Sequence, residues 1–224
     1  MKPTVLAILI SLFSTIGFGQ EENVSESTVN RDLFSFGVRS TQSAFGSSGY
    51  NGMGFGGQFR IRVGDRINTE WFADHIKTDL GGLGHRETAH IGWSVMFYPL
   101  NSEVEKGKLL PYLLAGHCFD FAKVKGYANE GILWPNPSFE AKRWTSAVQL
   151  GLGSSYHITD HFDATVSAQY MIHLGNDLDI SEPEQYLPGE KAHLENNSDG
   201  EHLGMEGHIL LTFSLNYILS FEKA

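Results

Sequence analysis

The sequence predicts an all-β fold, an eight-stranded antiparallel up-and-down transmembrane β-barrel. Apolar and polar residues alternate with a period of two along eight segments, and polar links separate these segments. One face of the segments carries large apolar and aromatic side chains, while the other carries small, hydroxyl, amide and charged ones. The 224 residues suit one domain, and 41% hydrophobic with 19% charged residues excludes a disordered chain.

The N-terminus has the features of a signal peptide. Lys2 precedes a mostly apolar run at 5–18, and Gly17 and Gly19 supply the small residues that signal peptidase requires. The run is too short for a membrane-spanning helix, and no cysteine follows it as a lipid attachment site. We therefore expect a signal peptide at 1–19, a short periplasmic segment at 20–31 and the barrel at 32–224.

Eight segments are predicted as strands. Five alternate clearly, at 53–64, 90–98, 144–156, 162–174 and 208–221. Three alternate more weakly, at 33–40, 67–74 and 109–121. The last of these is apolar on both faces at its start, so its two sides stay unassigned. Pro111 would lie near the beginning of that strand, where a missing backbone donor is tolerated.

The links between the strands are of two kinds. Short links are predicted at 64–66, 101–108 and 158–160. Longer polar links are predicted at 46–51, 77–86, 126–142 and 175–204. Short turns at one end and long loops at the other are typical of membrane barrels whose long loops face the cell exterior.

The contrast between a bulky apolar face and a small polar face favours a barrel in lipid. A soluble barrel with its bulky residues inside is the alternative. Opposite charges on the polar face predict an interior charge network of Arg60, Arg62, Glu70 and Asp74. Amphipathic rings near strand ends are predicted to lie at the membrane interfaces. These interface aromatics are Trp71, Trp93, Tyr98, Trp144, Tyr156 and Tyr170.

Two stretches carry a resemblance to a known family. LLPYLLAGHCFDF (109–121) and LGLGSSYHITDHFDATVSAQY (150–170) resemble strand-turn-strand units of OmpA-like or porin-family outer-membrane β-barrel proteins of Gram-negative bacteria. The final strand, ending at Phe221, resembles the C-terminal aromatic signal that the barrel-assembly machinery recognises, although 222–224 follow it here. The resemblance implies the barrel domain only, located in the outer membrane in contact with its lipid and lipopolysaccharide.

Several side chains are candidate functional groups. His173, Glu206 and His208 fall on the inward face and could bind a transition metal or form a hydrogen-bonded plug. The acidic loop at 175–204 lacks the spacing of a calcium loop, so it is interpreted as a solvated surface loop or a cation-bridged contact. The lone Cys118 permits no intramolecular disulfide and is expected to be a buried thiol.

The sequence therefore predicts a non-enzymatic barrel without a cofactor. Its extracellular loops would contact envelope components or an extracellular protein partner, and the net charge of −10 argues against nucleic acid. One alternative is a lipid A-modifying enzyme, with Ser198, Asp199 and His202 as candidates for acyl transfer, although no His-x-Ser sequence occurs. The other alternative is a narrow small-solute channel.

Overall fold

The computed structural model describes most of the predicted barrel. The described residues are 34–45, 51–100, 106–130, 135–136, 138–175, 178, 180–183, 185–196 and 207–219. The predicted signal peptide, the segment at 20–31, Glu206 and Phe221 lie outside them. No helix within the described residues is long and apolar enough to cross a membrane.

Eight antiparallel strands form a closed barrel, which confirms the predicted fold class. The strands are β1 (Phe34–Phe45), β2 (Asn51–Gly64), β3 (Ile67–Asp79), β4 (Gly84–Phe97), β5 (Leu109–Gly126), β6 (Phe139–Thr159), β7 (Phe162–Leu174) and β8 (Gly207–Leu219). Each strand pairs with its neighbour in sequence, and β8 pairs with β1 to close the sheet. Two short strand pairs, Asn129–Glu130 with Pro135–Asn136 and Ile180–Ser181 with Glu195–Asn196, lie in the two long loops.

The large apolar side chains point outward, as the alternation predicts. Val38, Phe55 and Leu150 are each 68% exposed. In water each such side chain would forgo about 1.5–3 kcal/mol of burial, and exposed apolar patches on soluble proteins are far smaller than a belt around a whole barrel. The outer face is therefore the one that meets lipid, and a barrel with an apolar ligand cavity inside is excluded for the described strands.

The barrel interior is less uniformly polar than expected. One apolar cluster lies near the short-turn end and consists of Met96, Tyr98, Leu110, Tyr112 and Leu114. A second contains Phe72, Ile76, Cys118, Ala147, Met171 and Leu210. Strand β5 contributes to both clusters, which explains why its sequence is apolar on both faces. The thiol of Cys118 is completely buried, as expected.

The connections differ from the prediction in two places. Strands β3 and β4 continue to a tight turn at 80–83, where Gly81 and Gly82 have φ of 66° and 77°, so the long link expected at 77–86 is wrong. Conversely, the link between β4 and β5 covers 98–108 and is not a short turn. The difference between the two ends of the barrel therefore rests on the loops at 127–138 and 175–206.

Candidate functional site

At several inward glycines, polar side chains of the two flanking strands meet across the glycine. In the strand register Gly56 lies between Arg39 and Asp74, whose side chains form an ion pair at 3.1 Å across it. A Cβ at Gly56 would overlap the Asp74 carboxylate and the backbone of Ala73. The missing side chain therefore lets a residue on β1 reach its partner on β3.

The same arrangement recurs twice. Gly37 lies between Gln58 and Asn216, and the Gln58 amide donates a hydrogen bond of 2.6 Å to the Asn216 side-chain oxygen. Gly116 lies between Ser94 and Gln149, and the Gln149 amide donates to the Ser94 hydroxyl at 2.7 Å. These three contacts, which we call glycine bridges, each join two strands that are not neighbours in the sheet.

A buried ionic network fills the middle of the barrel. Glu70 accepts hydrogen bonds from Arg60 at 2.7 Å and from Arg39 at 3.3 Å. Arg60 also lies 3.6 Å from the carboxylate of Asp163, and Arg39 pairs with Asp74. The side chains of all five residues are at most 8% exposed. In such a network a buried charge that loses its partner is strongly destabilising.

The sequence placed some members of this network and missed others. Arg60, Glu70 and Asp74 lie inside it, whereas Arg62 is directed to the turn at the barrel end, where it donates at 3.3 Å to the carbonyl oxygens of Gly64 and Asp65. Including Arg62 was wrong, because the alternation gives the face of a residue but not its depth. Arg39 is a central member that the predicted network lacks.

A cluster of three histidines and one aspartate lies nearer the long-loop end. His173 Nδ1 is 3.0 Å from Asp120, and His173 Nε2 is 3.1 Å from His208 Nδ1. His90 Nε2 lies 3.4 Å from the other oxygen of Asp120, and its ring stacks on that of His208. The four residues come from β4, β5, β7 and β8 and are almost completely buried.

The described atoms of this cluster contact one another and do not surround a common point. His173 uses its two ring nitrogens, which point in opposite directions, for Asp120 and His208. No three metal-binding side chains among the described residues could hold an ion. Of the predicted metal site, His173 and His208 are brought together and Glu206 lies outside the described residues. The described contacts join Asp120, His173 and His208 in a chain through the two nitrogens of His173.

An apolar cluster, which we call the cap, lies at the long-loop end of the barrel. Its buried residues are Leu80 from the β3–β4 turn, Val124 from β5 and Leu194 from the last loop. The partly buried residues packed against them are Leu83, Phe139, Leu178 and Ile180. The acidic last loop is therefore not simply solvated, because part of it folds onto the barrel end and buries apolar side chains there.

The last loop also has polar structure of its own. A turn with Gly189 at φ 87° lets Glu190 accept a hydrogen bond of 2.7 Å from the backbone of Leu187. The buried His193 donates to the Lys191 carbonyl at 3.0 Å and contacts Glu195 at 3.3 Å. Burial by itself lowers the pKa of His193, but these two hydrogen bonds and the nearby carboxylates raise that pKa on balance.

Five of the six predicted interface aromatics point outward. Trp144 is 67% exposed, and Trp71 lies directly opposite Trp93 several residues inside β3 and β4. The other two that point outward are Tyr156 and Tyr170. Tyr98 is 7% exposed and points into the barrel, so its assignment to the interface was wrong.

Tyr98 is buried by its position relative to the strand. Phe97, the last residue of β4, points outward, so the alternation continues inward at the next residue. The Tyr98 ring packs 5.5 Å from that of Tyr112, and its hydroxyl lies 3.4 Å from that of Ser155. Beside it is a cavity of about 50 Å³, also lined by Arg60 and Arg62, which has room for only a few water molecules.

A polar pair interrupts the outer apolar face. His117 Nε2 lies 2.6 Å from the hydroxyl of Ser146, and both side chains are half-buried on the outward side of β5 and β6. Each group provides the other with a hydrogen-bond partner, which the lipid chains cannot provide. Within the described part of the chain the other contact of the His117 ring is with Phe119, and no carboxylate touches it.

Comparison with solved structures identifies the architecture. No protein-family model matches the chain, and no curated protein matches its sequence. Neisserial surface protein A superimposes with a TM-score of 0.55 at 14% identity over 84% of this chain and 97% of its own. The fold is that of an outer-membrane β-barrel.

Two further structures are more distant. The N-terminal β-barrel domain of Pseudomonas aeruginosa OprF has a TM-score of 0.44 at 12% identity, over 83% of this chain and 97% of that one. The attachment invasion locus protein Ail of Yersinia pestis, solved with the heparin analogue sucrose octasulfate, has a TM-score of 0.42 at 12% identity, over 83% and 96%. The architecture expected from the OmpA-like resemblance is confirmed.

Proposed function

We propose that this chain is an outer-membrane protein that acts through its extracellular surface. In this proposal a signal peptide exports it, the barrel anchors it, and the capped end contacts envelope components or a protein partner without conducting solutes or catalysing a reaction. The observation that carries the proposal is the cap, in which Leu194 of the last loop packs against Leu80 and Val124 at the end of the barrel.

The interior and the loop surface support this proposal in different ways. The ionic network and the histidine cluster occupy the barrel between its two ends, as expected for an eight-stranded barrel filled by its own side chains. On the loops, Tyr127, Tyr186 and Leu187 are 50%, 38% and 53% exposed. Exposed aromatic and apolar side chains next to charged groups are typical of protein-binding surfaces.

The test measures binding by the loop surface and conductance through the barrel. Purified barrel in lipid nanodiscs is presented to vesicles made from the outer membrane of the same bacterium. We expect binding that falls at least about fivefold in Y186S/L187S, because exposed apolar anchors contribute most to such contacts. The matched control is D65S/R66S in the turn at the opposite end, which should bind as the wild type does.

Two results would contradict the proposal. Stepwise ion conductance of the wild-type barrel in planar bilayers, enhanced in Leu194→Asp, would show that the cap gates a channel. Equal binding by the loop variant and the turn control would show that the loop surface carries no contact.

A second candidate, hydrolysis of an acyl ester of a membrane lipid, is favoured by the His117–Ser146 hydrogen bond. A histidine in contact with a serine hydroxyl can accept its proton as the oxygen attacks a carbonyl. A fluorophosphonate probe that labels the wild type but not Ser146→Ala would support this candidate. Absence of labelling at Ser146 would leave the pair a structural one.

A further inference from the structure

Three lysines converge on one glutamate on the outer face of the barrel. Glu140 lies 2.6 Å from Lys142, 3.3 Å from Lys123 and 3.6 Å from Lys125. All four belong to the long-loop ends of β5 and β6, and the lysine side chains are 24–54% exposed. We call Lys123, Lys125 and Lys142 the lysine cluster.

The lysine cluster stands directly beside an exposed aromatic pair. In the register Lys123 is opposite Lys142, and two residues further into the barrel wall Phe121 is opposite Trp144. The two rings are 4.9 Å apart, and Trp144 is 67% exposed on the lipid side. Cationic groups therefore border the apolar belt on the side where the long loops begin.

Among the described residues, the lysine cluster carries more positive charge than its ion-pair partners neutralise. Glu140 offers one carboxylate to three ammonium groups. Glu87, which lies opposite Lys123 in the register, is already paired with Lys77 at 3.1 Å. Within the described part of the barrel wall these lysines therefore form a positive site, although the whole chain has a net charge of −10.

We propose that this place binds the phosphate groups of an anionic glycolipid in the outer leaflet. The ammonium groups of the lysine cluster contact the phosphates, and the lipid's acyl chains lie along Phe121 and Trp144. Lysines at a membrane surface extend their aliphatic stems over apolar surface and keep the charge at the headgroup level. Each such lysine adds roughly 1 kcal/mol of attraction to an anionic lipid surface, which is about fivefold in affinity.

The aromatic pair distinguishes a lipid from a free anion. A soluble phosphate would use only the ammonium groups, whereas an amphipathic lipid also covers the exposed rings. The proposal concerns the side of the barrel wall, so it does not depend on which partner contacts the cap.

The experiment measures lipid binding to the purified mature barrel by native mass spectrometry. The probes are bisphosphorylated lipid A, the same lipid with its phosphates removed, and inorganic phosphate. We expect bisphosphorylated lipid A to bind, and K123Q/K125Q/K142Q to weaken that binding about a hundredfold. Glu140→Gln removes the competing carboxylate and should strengthen binding about fivefold.

Matched variants separate a binding role from a folding role. K106Q/K108Q loses lysines at the opposite end of the barrel and should bind as the wild type does. K123R/K125R/K142R keeps the charge and should retain most of the binding, and a heat-dependent gel shift confirms that every variant folds. Equal weakening in K106Q/K108Q, equal binding of the dephosphorylated lipid, or binding of inorganic phosphate alone would overturn the proposal.

Discussion

Replacing Arg60 by methionine tests whether the ionic network holds the barrel together. The contacts described above join two guanidinium groups, Arg39 and Arg60, to three carboxylates. Removing Arg60 leaves Asp163 without its guanidinium and Glu70 with one partner in place of two. Breaking a buried ion pair from one side costs about 3–5 kcal/mol, and we expect a loss of that size in the free energy of unfolding.

Glu70→Gln should be milder. It removes one negative charge from a set in which carboxylates outnumber guanidinium groups, and the amide oxygen can still accept a hydrogen bond from Arg60. A weakened but retained hydrogen bond corresponds to about 1–2 kcal/mol. Arg62→Met is the matched control, because the hydrogen bonds of Arg62 within the described residues go to turn carbonyl oxygens at the barrel end. It should change the stability by less than about 0.5 kcal/mol.

The assay is a reversible urea titration of the barrel in detergent micelles, followed by tryptophan fluorescence and by the heat-dependent gel shift. The expected order of stability loss is Arg60→Met, then Glu70→Gln, then Arg62→Met. An Arg60→Met loss no larger than that of Arg62→Met would refute the view that the interior network is a main source of stability.

Three further predictions follow from other parts of the chain. Gly56→Ala should lower the free energy of unfolding by about 1–3 kcal/mol in the same titration, because the new Cβ has no room; the outward Gly57→Ala should not, and equal losses would contradict this. The raised pKa of His193 means that its protonated form stabilises the last loop fully below the unfolded pKa of about 6.5, and that this stabilisation is lost as pH rises through the folded pKa. Hydrogen exchange in 185–196, corrected for intrinsic rates, should therefore accelerate as pH rises, and a wild type with the flat profile expected of His193→Gln would contradict the contacts described. Cys118 should react with a maleimide only after unfolding, because its thiol is buried, so labelling of the folded barrel would be inconsistent with the interior packing.

The faces of the strands were predictable because a period of two leaves only two choices for each strand. In a barrel that spans a membrane the face with the bulky apolar residues points outward. Exposed residues such as Phe55 and Leu150 are favourable there because they contact lipid, whereas they would be unfavourable in water. Tyr98 was misassigned by its residue type, although the alternation beyond Phe97 already placed it inside. For the direction of the Tyr98 side chain, the period of two was a better predictor than the preference of tyrosine for membrane interfaces.

The partners inside the barrel could not be predicted in the same way. Arg39 and Asp74 are far apart in sequence and lie on strands that do not pair with each other. Asp120 was missed because it lies on β5, whose faces could not be assigned, yet it holds His90 and His173. Pairing across a barrel depends on strand register, which the composition of each strand leaves undetermined.

The glycine bridges have a consequence for how the barrel assembles. A strand that slipped by two residues would keep its ladder hydrogen bonds and its lipid-facing side chains, so neither the backbone nor the apolar belt would reject it. A slip that brought Gln58 to the place of Gly56 would put a side chain between the two buried charges of Arg39 and Asp74. Each of the contacts over Gly37, Gly56 and Gly116 forms only when three adjacent strands are in the correct register. The glycine bridges therefore favour the correct register over a slipped one as the sheet closes.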